Sequence, residues 1–168
     1  MPDPAIRRHG RRTGGAAGIG LRSLLWLLLG GWVGSWACFG LVVAPIAFDR
    51  LPSAEIAGRL IGPVLSALHV YGAVAGGALA LLAGLMGRGR LRVALPVLMA
   101  AACVYTQFGV SAEIAEIRDQ VFGPEGSEAL AARFTELHRR SVGIFLAVAA
   151  GTLWLVVLHA GSDTRNAA

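Results

Sequence analysis

The chain has 168 residues, 55% of them hydrophobic, with fifteen Arg, no Lys, ten acidic residues and a formal charge of +5. Four stretches, Ser23–Phe48, Leu60–Gly87, Val93–Ala112 and Ser141–Ser162, carry no Asp, Glu or Arg. About 18 uncharged apolar residues suffice for a membrane-spanning helix, because ~20 residues at 1.5 Å rise cross a ~30 Å hydrocarbon core. That excludes a soluble globular domain and predicts an all-α protein with four spans.

Residues 1–22 are basic and Gly-rich, with Arg7, Arg8, Arg11, Arg12 and Arg22, and are expected to be a disordered cytoplasmic segment. The apolar run after them passes through Trp32, Trp36 and Phe39 to Pro45. It is longer than the roughly 7–15-residue core of a signal peptide, which predicts an uncleaved first spanning helix closed near Pro45. Ser53 is placed to cap a short amphipathic turn leading into helix 2. Helix 2 is expected over Leu60–Met86, with Pro63 in its first turn, where proline is tolerated. The short 87–92 loop makes helices 2 and 3 antiparallel neighbours. Helix 3 is expected to cross from about Leu91 to Ala112. Ile114, Ile117 and Val121 then repeat at i, i+3 and i+7, an amphipathic extension beyond the membrane. Gly123-Pro124-Glu125-Gly126 marks a turn. Ser127 can cap a last helix on which Leu130, Phe134 and Leu137 repeat before its span, Ser141–His159. Residues 23–160 thus read as an up-down-up-down antiparallel four-helix transmembrane bundle. Helices 3 and 4 should extend ~15 Å outside the membrane as a hairpin. Residues 161–168 are expected to form a disordered cytoplasmic tail.

The arginines orient this bundle. The first 22 residues carry five Arg against one acid, and Arg88–Arg92 carries three with none. Residues 49–59 carry two Arg against two acids, and residues 113–140 four against six. Alternating basic connections place both termini in the cytoplasm, for a multi-pass protein of a bacterial inner (plasma) membrane. Arginine facing anionic lipid accounts for the basic surplus, so the lipid bilayer is the expected partner and nucleic acid is not. Small residues at helical spacing, including Gly30/Gly34/Cys38, Gly72/Gly76/Ala80/Gly84 and Gly143/Ala147/Gly151, offer seams for close helix packing. They also offer self-association or contact with other membrane proteins.

Polar groups within a membrane are functional suspects. His69, Tyr105 and Gln107 fall in the outer half of the spans, with His138 and Ser141 at the interface. Together they suit an outward-facing cavity for a small solute or ion, and a histidine at its mouth would make binding pH-dependent. The alternative is that these groups satisfy one another at helix crossings in a non-catalytic membrane scaffold or assembly partner. A haem between His69 and His138 is a minor alternative, disfavoured by a depth mismatch of more than ~10 Å along the helices. Cys38 and Cys103 have no second ligand at metal spacing. No catalytic motif is readable, so neither enzyme activity nor a cofactor or metal is expected.

Three stretches carry a resemblance. They are Ala44-Pro45-Ile46-Ala47-Phe48; Ala57-Gly58-Arg59-Leu60-Ile61-Gly62-Pro63; and Phe134-Thr135-Glu136-Leu137-His138-Arg139-Arg140-Ser141. The chain resembles the transmembrane protein 205-like family (domain of unknown function 4149) over roughly Leu24–His159. The resemblance implies a four-span membrane fold. It makes Pro45, Phe48, Gly58, Pro63, His138 and Ser141 the motif positions, of which only His138 and Ser141 can do polar chemistry. Phe145 stands where the resemblance implies Asn, and Ile61-Gly62 where it implies an aromatic residue.

Overall fold

The computed structural model describes residues 15–124 and 126–167, with side chains to 164. The arginines up to Arg12 and Glu125 lie outside the described residues, so the expectation of a disordered N-terminal segment falls mostly on residues outside them. Four helices carry the chain: α1 (Ala16–Arg50), α2 (Ala54–Leu85), α3 (Arg90–Val121) and α4 (Glu128–Ala167). All four are long and apolar enough to cross a membrane. Their outward faces show large apolar side chains such as Leu27, Leu41, Val74, Leu98 and Val157, each more than half exposed. Such faces suit a hydrocarbon solvent.

Pro45 does not close α1. The residues before it, Phe39–Val43, form a π-helical turn, and the α-helix resumes over Ala44–Arg50. Proline lacks an N–H and its ring crowds the carbonyl four residues back. A wider turn directly ahead of it gives that carbonyl room, so the helix runs on. It stops at Leu51, which is extended (ψ 149°), as a residue before proline prefers. Ser53 then caps α2, its Oγ accepting from the Ile56 N–H at 3.2 Å. The helix therefore begins six residues earlier than the charge-free run, and Pro63 falls in its third turn. Gly87 and Gly89 adopt φ of +63° and +89°, which lets the chain reverse into α3. A second π-helical turn, Thr106–Val110, interrupts α3. Ser127 Oγ accepts from the Leu130 N–H at 3.3 Å at the start of α4. α4 continues through Ala167, past Gly161 where a disordered tail was expected.

The main core joins Leu25, Leu29, Trp32 and Trp36 of α1 to Ala75 and Leu79 of α2, Met99 and Cys103 of α3, and Val148 and Leu155 of α4. Glycine sets the approach of α2 to α3. A Cβ on Gly76 would lie 2.8 Å from the Pro96 carbonyl oxygen, and one on Gly72 2.8 Å from Cys103 Sγ. Gly30, Gly34, Gly84 and Gly143 have nothing within 4 Å of such a Cβ.

Beyond this core, α3 and α4 stay in contact through Val110, Ile114 and Leu137, with Ile117 and Phe134 packed against them. The Arg133 guanidinium donates to both oxygens of Glu113 at 2.6 and 2.8 Å. At the other end of the molecule a polar network gathers the remaining connection. The Arg88 side chain is only 4% exposed. It donates to Asp163 Oδ1 at 2.6 Å and to the His159 carbonyl at 3.4 Å. Trp26 Nε1 donates to Asp163 Oδ2 at 3.0 Å, and Arg92 Nε to the Leu158 carbonyl at 2.9 Å. This network ties α1, the α2–α3 connection and α4 together. His159 is fully buried beside Arg88, with 3.3 Å between the Arg88 Nη1 and the ring Nδ1.

Candidate functional site

At the end formed by the 51–53 and 122–127 connections, the four helices leave a cavity of about 960 Å³. That is near the upper end of the ~300–1,000 Å³ range typical of small-molecule sites. Both π-helical turns contribute to its deep end, Phe39 and Gly40 from α1 and Gln107 and Phe108 from α3. Single π turns recur at functional sites, because the extra residue re-aims side chains without ending the helix. Here they hold apolar and polar lining groups side by side.

The floor is aromatic. Phe145 stacks on Trp36, with ring centroids 4.6 Å apart and planes 14° apart, and meets Phe39 at 5.6 Å. Beside it Gln107 Nε2 donates to Ser66 Oγ at 2.7 Å, joining α3 to α2. One wall is cut low by Gly58 and Gly62, which precede Pro63. At the mouth Phe134 meets Phe122 edge-on at 5.6 Å, and His138 lies parallel to Phe134 at 6.4 Å. Phe48, Phe108 and Leu146 line the cavity yet are 50%, 75% and 59% exposed, so it opens onto the surface of the bundle.

The residues singled out from sequence divide. Gln107, His138 and Ser141 line the cavity, as do the motif positions Phe48, Gly58 and Pro63. Pro45 does not line it and is exposed on α1. Tyr105 also lies off the cavity, 56% exposed on the outer face of α3. His69 is fully buried beneath the floor, edge-on to Trp36 at 6.0 Å. Neither of its ring nitrogens has a hydrogen-bond partner among the described residues, and the same holds for Trp32 and Trp36 Nε1. His69 thus lies off the cavity that His138 lines. Among the described residues no group of three His, Cys, Asp or Glu could hold a metal ion. Cys38 is exposed and Cys103 buried.

Sequence reasoning missed Arg118, Gly62, Phe39 and Phe145, all of which line the cavity. Arg118 counted only as a loop charge. Its position four residues after Ile114 on the amphipathic extension was the available signal.

The charges around the mouth are mostly paired. Arg59 bridges Glu55 at 3.2 Å and Asp119 at 2.7 Å, drawing α2 to α3. Glu136 sits between Arg139 and Arg140, both at 2.8 Å. The hydrogen bond from Arg140, then the charge of Arg139, hold its carboxyl below the usual range. The arrangement can seat a molecule with a large apolar body and a polar end.

No curated protein and no solved structure matches the chain. Residues 27–122, which include Pro45, Phe48, Gly58 and Pro63 but end before His138 and Ser141, match one family. Because that match covers more than half of the sequence, the chain belongs to the family described as Domain of unknown function (DUF4149).

Proposed function

We propose that this chain is a non-catalytic, multi-pass protein of a bacterial inner membrane that binds a small amphiphilic solute in an outward-facing cavity. In this reading the helices alternate up and down and both termini lie in the cytoplasm. The α3–α4 hairpin stands outside. The arginine distribution supports that orientation, since Arg88, Arg90 and Arg92 cluster at the end opposite the cavity.

The observation that carries the reading is the cavity's composition along its length. Counting ~20 residues outward from Arg92 puts the membrane boundary near Ala112. Phe39, Phe145 and Leu146 then lie within the hydrocarbon layer, and Arg118, Phe134 and His138 lie above it. Below that boundary the lining is largely apolar, broken by the Gln107–Ser66 pair, and above it Arg118 and His138 stand beside Phe122 and Phe134, a cavity that suits an amphiphile. The scaffold reading is favoured by one observation, the open approach to Gly30 and Gly34 on α1.

Binding of the neutral fluorophore N-phenyl-1-naphthylamine to protein in nanodiscs separates the two readings. Saturable binding that Gly58→Trp abolishes, in a protein that remains folded, is expected of the cavity. Equal, non-saturating uptake by both proteins would leave the scaffold.

A further inference from the structure

We propose that the cavity is selective for an anionic single-chain amphiphile, and that Arg118 is the residue that binds its headgroup. This rests on the cavity reading above and adds the charge of the ligand.

Arg118 and Glu55 are the two charged side chains in the cavity lining. Glu55 is already engaged by Arg59. Asp119, next to Arg118 in sequence, is held by the same arginine, and Glu113 is held by Arg133. Among the described residues no carboxylate lies within ion-pair distance of Arg118. Its guanidinium rests against α2. A Cβ on Gly62 would stand 3.3 Å from Nη2, 3.4 Å from Nη1 and 3.8 Å from the central carbon, so the fork meets α2 end-on at this glycine. The half-buried side chain lines the cavity and makes no hydrogen bond or ion pair among the described residues, which leaves donors for an oxyanion. Guanidinium binds carboxylate and phosphate oxygens in pairs, and such charge-assisted bonds are about twice as strong as neutral ones.

The Arg118 backbone lies eleven residues beyond Gln107 on α3, but its guanidinium reaches back to Gly62, four residues or ~6 Å along α2 from the Ser66 that Gln107 holds. Phe39, Phe145 and Leu65 line the cavity below Arg118 and offer only apolar surface. A fatty-acid carboxylate and a lysophospholipid phosphate share the required chemistry, an oxyanion at the end of an acyl chain.

Trp36, stacked on Phe145 at the floor, reports occupancy through quenching by brominated acyl chains. The lipid-facing Trp154 is first removed as Trp154→Phe. Protein in zwitterionic nanodiscs is titrated with dibromostearate, its methyl ester and dibromostearoyl lysophosphatidate, at mildly alkaline pH. Saturable quenching by an anionic ligand should weaken at least about tenfold in Arg118→Gln and Arg118→Ala. Unchanged quenching by the ester shows that each variant is folded with its cavity intact. Whichever anion depends more on Arg118 identifies the head as carboxylate or phosphate. Anion binding that is indifferent to Arg118 would overturn the headgroup assignment and leave the cavity reading standing. Absence of saturable quenching by all three ligands would overturn both.

Discussion

A single methyl group is a sensitive probe of how this bundle is assembled. Gly76→Ala places a carbon 2.8 Å from a backbone oxygen and 3.0 Å from Ala100 Cβ. Backbone cannot swing aside, so the substitution should destabilise the protein by ~1–3 kcal/mol, as overpacking does. Gly84→Ala meets nothing within 4 Å and should be neutral or stabilising by up to ~1 kcal/mol through helix propensity. Thermal unfolding in detergent checks both. Asp163→Ala tests the opposite end, where it leaves Arg88 buried without its carboxylate. Removing one partner of a buried pair should cost ~3 kcal/mol, and the Arg88→Met/Asp163→Leu double variant should recover most of it. The glycine seam was legible in the sequence because small residues recur at fixed helical spacing. The Arg88–Asp163 pair was not, since the partners are 75 residues apart and each lies just beyond an uncharged run.

At the scale of helices, the two π-helical turns decide where the side chains beyond them point. One sits beneath Pro45 and the other beneath the amphipathic extension of α3. Deleting Gly109 should remove the extra residue of the second turn and leave everything after it on nearly the same face, since four α-helical residues at ~100° each turn about as far as five in a π turn. In the intact chain Ile117 and Phe134 pack against the same buried cluster. A cysteine pair at those two positions should crosslink readily on oxidation, in the Gly109 deletion as in the intact chain. Loss of the crosslink in the deletion, with the protein folded, would mean that the π turn does not hold one extra residue. Helix number, the caps at Ser53 and Ser127, and the apolar face of Ile114, Ile117, Phe134 and Leu137 were all readable from periodicity. The π turns were not. Within an unbroken apolar run neither composition nor spacing marks one extra residue, and Pro45 read naturally as an end.

Across the whole molecule, polarity is distributed in two layers. One end is fastened by Arg88, Arg92, His159 and Asp163 around the α2–α3 connection. At the other, ion pairs Arg59–Asp119 and Arg133–Glu113 hold α2, α3 and α4 around an open space. The sequence showed that polar groups gather at that end, but it could not tell a lining residue from a neighbour. His69 and Tyr105 lie within four residues of Ser66 and Gln107 respectively, yet one sits under the floor and the other on the outer face. That distinction depends on which way each helix is turned, and the turning is set by contacts distant in sequence, such as Phe145 on Trp36. The central claim is that the cavity opens to the side opposite Arg88. It is tested most directly by labelling Ser66→Cys, at the deep end, with a membrane-impermeant thiol reagent in a Cys38→Ser/Cys103→Ala background. Sealed vesicles of known orientation should label from the outer face, and Gly58→Trp should slow that labelling at least about tenfold. Labelling from the cytoplasmic face alone, or at a rate indifferent to Gly58→Trp, would contradict the account.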